Sequence, residues 1–167
     1  MVPPGARKRR SPKSYGEVVD PWDQNPFGQN LSPARQLPVN NVQKVRVSPD
    51  QLLNAHKLWA TLDYDHIENP DVRGNWEWTV ERAGTGHGIV VWFDADLVEG
   101  VGFSNAPGAP ETVYGSLFLP WSQSVPLEGN QIVCMGLEAK ITGRRLHLAM
   151  DHARHARRRI ARFAPPF

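Results

Sequence analysis

Between residues 44 and 150 apolar side chains recur at every second position in short runs, and turn residues cut the runs apart. Val45 and Val47 alternate with Lys44 and Arg46 in the run 37–47. Leu58, Ala60, Leu62 and Tyr64 share one face of the run 57–64. Trp76, Trp78 and Val80 alternate with Glu77, Thr79 and Glu81. A period of two is that of a half-buried strand. The 15 prolines and 14 glycines supply much of the punctuation, as at Asn69-Pro70-Asp71 and Arg73-Gly74-Asn75. Further strands are predicted over 89–97, 112–119 (stopped by Pro120), 131–139 and 144–150, the last two paired about Thr142-Gly143. Residues 98–110 read as a long connection. Nothing between these runs is long enough for a helical crossover, so the strands pair antiparallel. The predicted fold class is mainly β, an antiparallel β-barrel or barrel-like sandwich, because closure removes exposed edges.

The ends differ from the body. Residues 1–14 are basic, proline-rich and without periodicity, a disordered leader. Residues 15–36 form an irregular arm: Pro21, Pro26 and Pro33 forbid a long helix, while Trp22, Phe27 and Leu31 need an apolar surface to cover them. Residues 37–150 are the β-barrel domain, and 167 residues in all suit one domain with a real core. Residues 151–167 form a basic tail, predicted helical to about Ala164 and stopped by Pro165-Pro166. The leader holds +5 and the tail +4 of a whole-chain charge of +2, which leaves −7 for residues 15–150. Such a body repels nucleic acid and attracts cationic partners; nucleic acid can be met through the basic ends alone. The single cysteine, Cys134, excludes an intrachain disulfide and reads as a buried structural thiol in a strand. With no apolar run of membrane length and no apolar segment after the basic leader, a cytoplasmic location is expected and a membrane partner is not.

Gly84-Thr85-Gly86-His87-Gly88 has the glycine spacing of a nucleotide loop. It stands between a polar-alternating strand and the β-branched, aromatic run Ile89-Val90-Val91-Trp92-Phe93, so it reads as a hairpin turn. His152 and His155 lie three apart among arginines and lack convergent partners, so no metal site is expected. The acids Asp63, Asp65, Glu68 and Asp71, with Asp94, Asp96 and Glu99, are candidates to line a groove for a cationic substrate, or are strand-end groups facing water. No nucleophile–base pair stands out, and no catalytic residue is assigned.

The run from Val90–Phe93 and Leu97 through Gly102-Phe103-Ser104-Asn105-Ala106-Pro107-Gly108-Ala109-Pro110-Glu111-Thr112-Val113-Tyr114 to Phe118 resembles the C-terminal β-barrel of the protein arginine methyltransferases. In that family a strand leads to a loop of the form G-F-S-T-x-P-x-x-P-x-T-H-W. Val125, Gly129 and Ile132 continue the likeness. Upstream, residues 22–32 are similar to the family's dimerisation arm, and Val42, Val45, Pro49 and Leu52 to the strand after it. The resemblance spans about residues 21–150.

The resemblance implies a substrate-binding and dimerisation part that is not catalytic alone. Thr112 and Tyr114 would touch substrate, with Tyr114 as an aromatic wall where the family has tryptophan and Val113 in place of its histidine. Trp22, Phe27, Gly28 and Leu31 would make the arm's contacts in a homo-oligomer. The family's S-adenosylmethionine-binding domain precedes the arm and has no counterpart here, so S-adenosylmethionine is expected only through a partner donor domain. An arginine-rich protein is the implied substrate, and its charge suits the acidic body. The alternatives are one half of a split methyltransferase, working with a separate donor-domain polypeptide, or a stand-alone interaction module with nucleic-acid-binding basic ends. Self-association or poor solubility of the isolated chain is expected from an apolar face left without its partner.

Overall fold

A computed structural model describes residues 15–24, 28–142, 145–156 and 159–163, with the backbone path alone for Arg145 and for residues 151–163. The leader 1–14 and Phe27 lie outside the described residues. The chain is mainly β with antiparallel sheets, as its alternation predicts. Two compact units divide it. One comprises the chain up to Leu52 together with His87–Val125, the other Leu53–Gly86 together with the chain from Pro126 onward.

In the first unit, single helical turns at Tyr15–Val18, Asp20–Asp23, Ser32–Arg35 and Gln36–Val39 form the arm. Strand β1 (Gln43–Val45) pairs antiparallel with β6 (Ser116–Leu127), Lys44 opposite Leu117. Strand β3 (Gly84–Val91) flanks β6 on its other side. Strands β4 (Asp94–Val98) and β5 (Val101–Ser104) make a separate hairpin. Tyr15, Val19, Val45, Leu119, Pro120 and Trp121 are buried here. In the second unit, β2 (Val72–Thr79), β7 (Ile132–Thr142), β8 (Arg145–Ala156) and β9 (Arg159–Phe163) form one antiparallel sheet in that order. Val133, Met135 and Leu137 of β7 are buried, and their β2 partners are Trp78, Trp76 and Gly74.

Several elements differ from the sequence reading. Residues 57–64 join no strand: Leu58 and Tyr64 are 75% and 84% exposed. Trp59 turns inward instead, edge-on to Trp76, whose Nε1 donates to the Leu58 carbonyl at 3.2 Å. Side-chain contacts thus hold this segment beside β2 without a ladder. Gly74 is inside β2, under the Trp76 ring, and marks no turn. The run expected over 89–97 breaks at Trp92 and Phe93, between β3 and β4.

The glycines 84–88 lie inside β3, not in a turn. A Cβ on Gly88 would fall 2.3 Å from the Leu119 carbonyl oxygen and 2.9 Å from Pro120 Cα. Close backbone approach to β6, rather than a bend, accounts for the glycine there. The connection expected over 98–110 contains β5, closed on β4 by the two-residue turn Glu99-Gly100 with Gly100 at φ +76°.

β6 begins later than predicted and runs through Pro120. Pairing with β1 ends at Phe118, so the missing proline N–H removes no bond from that ladder. The tail is not helical over 151–156 or 159–163: β8 continues to Ala156 and β9 spans Arg159–Phe163. Alanine and arginine favour helix in isolation. Here β7 offers an open edge, already ordered by β2 on its far side, and β8 pairs along it from Thr142↔Arg145 to Ile132↔His155. Tertiary pairing overrides the weak local preference.

Candidate functional site

Two places in the first unit bear on the predicted site residues, and at the first of them two of those residues meet. The first is the loop between β5 and β6, which borders a cavity of about 220 Å³ lined by Val45, Arg46, Asn105, Pro110, Glu111 and Tyr114 among others. Thr112 and Tyr114 meet there. The Thr112 Oγ1 donates to the Tyr114 carbonyl at 3.1 Å and lies 3.2 Å from the Tyr114 N–H that it accepts. This tight turn presents the Tyr114 ring, half exposed, against Phe103 (stacked, centroids 5.7 Å apart) and Phe93 (edge-on, 5.7 Å). Phe93 and Phe103 pack edge-on at 5.6 Å. Such contacts fix ring orientation beyond plain burial.

Two cations hold the loop from outside. Arg46 pairs with Glu111 at 3.2 Å and donates to the Thr112 carbonyl at 2.7 Å; Lys44 Nζ donates to the Val113 carbonyl at 2.7 Å. Alternation marked both as the solvent face of a strand, and they do leave β1 and its extension outward. Their length returns their charged ends to the loop.

Asn105 holds it from inside. Its N–H donates to the Phe93 carbonyl at 3.2 Å and its Oδ1 accepts from the Phe93 N–H at 2.8 Å. Its Nδ2 donates to the Gly115 carbonyl at 2.9 Å, and its own carbonyl accepts from the Ser116 hydroxyl at 3.0 Å. One side chain and its own peptide groups thus tie the junction between β3 and β4, the loop's last residue and the start of β6. Asn105 stood in the quoted motif without a role, because its partners are brought near only by the fold.

The second place is the base of the arm. Tyr15 is buried, its ring 4.8 Å from that of His87. Its hydroxyl donates to the Trp121 carbonyl at 3.2 Å and accepts from Arg35 Nη2 at 2.9 Å. Arg35 Nη1 also donates to the Ser122 carbonyl, and Nε pairs with Asp23 at 3.0 Å. Burial pushes the Tyr15 phenol up, against the pull of the Arg35 charge. Of the predicted arm residues, Trp22 and Leu31 are half-buried and Gly28 is exposed. Sequence reasoning missed Tyr15 and Arg35 as a pair, since nothing local signals a contact across the whole arm.

Other candidates resolve into local roles. Cys134 is half-buried rather than buried, in β7 as read, with Sγ 3.4 Å from Glu77 Oε1. Burial and then the Glu77 carboxylate raise its thiol pKa. Asp63 pairs with His66 at 2.9 Å and Asp71 accepts from the Ile141 N–H at 2.9 Å. These acids belong to the second unit, whereas Asp94, Asp96 and Glu99 belong to the first. Among the described residues no three His, Cys, Asp or Glu side chains converge as a metal site, and no helix is long and apolar enough to cross a membrane.

The structure therefore defines a mainly β domain with a clamped N-terminal arm and a cross-tied loop beside an aromatic cluster. The family model described as the arginine methyltransferase oligomerization subdomain matches residues 11–151, and the chain belongs to that family. Among solved structures it is similar to a chain of the Trypanosoma brucei PRMT1 enzyme-prozyme heterotetrameric complex with AdoHcy, at a TM-score of 0.75 and 15% identity, over 88% of this chain. The chain covers 49% of that protein's length. A search of curated proteins returns no match.

Proposed function

We propose that this chain is the dimerisation and substrate-wall part of an arginine methyltransferase-like protein and is not catalytic by itself. The observation that carries the reading is the family match over residues 11–151, which takes in the arm as well as the strands. In this reading the arm, through Trp22, Phe27, Gly28 and Leu31, docks on a second copy. The Thr112–Tyr114 turn forms one wall of a groove for an arginine-rich protein, with the Tyr114 ring offering a face to a guanidinium. The exposed Leu97, Val98, Val101 and Val113 of the first unit suit a surface that a partner covers. S-adenosylmethionine then comes from a donor-binding domain outside residues 15–163, and the chain alone does not bind it.

Sedimentation velocity across a wide concentration range tests this. The expected result is a concentration-dependent dimer, shifted toward monomer by Trp22→Ala with Leu31→Ala. A wild-type chain that stays monomeric at every concentration overturns the dimerisation reading, and calorimetric binding of S-adenosylmethionine to the chain overturns the cofactor reading. The trypanosome protein's enzyme-prozyme assembly also supports a version in which the partner is a different polypeptide. Methyl transfer by a mixture with a donor-domain polypeptide, and by neither part alone, distinguishes that version.

A further inference from the structure

Residues 16–34 leave and return to one point. Tyr15 precedes them, Arg35 follows them, and the two side chains are bonded to each other at 2.9 Å. Both are also bonded to consecutive carbonyls of β6: the Tyr15 hydroxyl to Trp121 at 3.2 Å, and Arg35 to Ser122. Neither link is peripheral. Tyr15 is 6% exposed and the Arg35 side chain 19%. Arg35 reaches a third way, into the arm itself, through Asp23 at 3.0 Å. Its planar fork hydrogen-bonds acceptors on two elements and sets its charge beside a carboxylate on a third, a fixed geometry that a lysine's single ammonium does not reproduce. Beneath the bonded groups Val19 is fully buried, so the arm's first turn is anchored by packing as well.

We propose that Tyr15 and Arg35 are positioning residues: a clasp that ties both ends of the arm to β6 and so presets the arm for its partner. The inference rests on the dimerisation reading. Without the clasp, only the packing of Val19 holds the arm at its first turn, and more of the entropy of ordering the arm falls on the association step instead of on folding. Clasp variants should therefore fold normally and associate weakly, mainly through faster dissociation.

The test uses the full chain with Tyr15→Phe, Arg35→Met and Arg35→Lys. Tyr15→Phe keeps the ring against His87 and removes only the hydroxyl bonds. Two measurements are made on each, amide hydrogen exchange over residues 16–34 and the dimer dissociation constant. The clasp predicts faster exchange confined to residues 16–34, and a dissociation constant raised about tenfold for Tyr15→Phe and more for Arg35→Met. Arg35→Lys should recover only part of the loss. Equal exchange in wild type and both disabling variants overturns the clasp. Faster exchange with an unchanged dissociation constant overturns its role in association. A wild-type chain that never dimerises sinks the dimerisation reading, and with it the presetting of a partner, while the exchange comparison still decides whether the clasp ties the arm.

Discussion

At the scale of single residues, Tyr15 couples the arm to pH. Its phenol is held above the ordinary value of 10.0, first by burial; the Arg35 charge pulls down, and Asp20 and Asp23 push up. The folded state thus keeps the proton longer than the unfolded chain does. The sign follows: stability from Tyr15 is fully present below pH 10.0 and is lost as pH rises through the folded-state value. In the neutral form the hydroxyl both donates to Trp121 and accepts from Arg35; the phenolate only accepts. Absorbance titration of wild type minus Tyr15→Phe isolates this group. We expect its midpoint above 10.0, and a wild-type melting temperature that falls more steeply than the variant's as pH rises above 10.0. A difference titration centred at or below 10.0 would remove burial as the dominant influence.

At the scale of elements, β3 and β6 show what a sequence pattern does not carry. Gly88 looked like turn punctuation because glycine and its neighbours satisfy a loop motif as well as a strand. What requires the glycine is its own backbone, at φ +157°, together with the β6 backbone, more than 25 residues on and within 3 Å of where a Cβ would stand. Gly88→Ala should force β3 away from β6 and destabilise the chain by about 1–3 kcal/mol, as overpacking generally does. Gly129→Ala, whose Cβ meets nothing within 4 Å, is the control and should change little. Equal urea midpoints for the two variants would refute the close-approach account.

The same contrast explains which elements were legible. β7 and the part of β2 from Trp76 on were, because each shows one face to its unit's interior and alternates accordingly; the start of β2 was not, because Arg73-Gly74-Asn75 reads as a turn. β5, the passage of β6 through Pro120 and the strand nature of residues 151–156 and 159–163 were not, because each depends on which edge is open beside it. The site divides likewise. Thr112 and Tyr114 came from a family likeness in contiguous sequence, whereas Asn105, Arg46 and the Tyr15–Arg35 pair acquire roles only from partners distant in the chain.

At the scale of the whole molecule, charge is arranged more sharply than a net +2 suggests: +5 before residue 15, +4 after residue 150, and −7 between them. A polyanion is repelled by the body and meets the ends, so any association with a single-stranded oligonucleotide should be a low-salt property of those ends. Deleting the tail is the wrong test. Asp151 to His155 pair with β7 from Gly136 to Ile132, and truncation at residue 150 would strip that edge and change the fold along with the charge. Substitution separates the two: Arg7, Lys8, Arg9, Arg10 and Lys13 to Gln in the leader, and Arg154, Arg157, Arg158, Arg159 and Arg162 to Gln in the tail. Each lost phosphate contact should flatten the log–log salt dependence of binding by about 0.7. With all ten replaced, binding at low salt should vanish while sedimentation of the chain is unchanged. Undiminished binding by the substituted chain, with the same salt slope, would place the contact on the acidic body and show that local geometry there outweighs net charge.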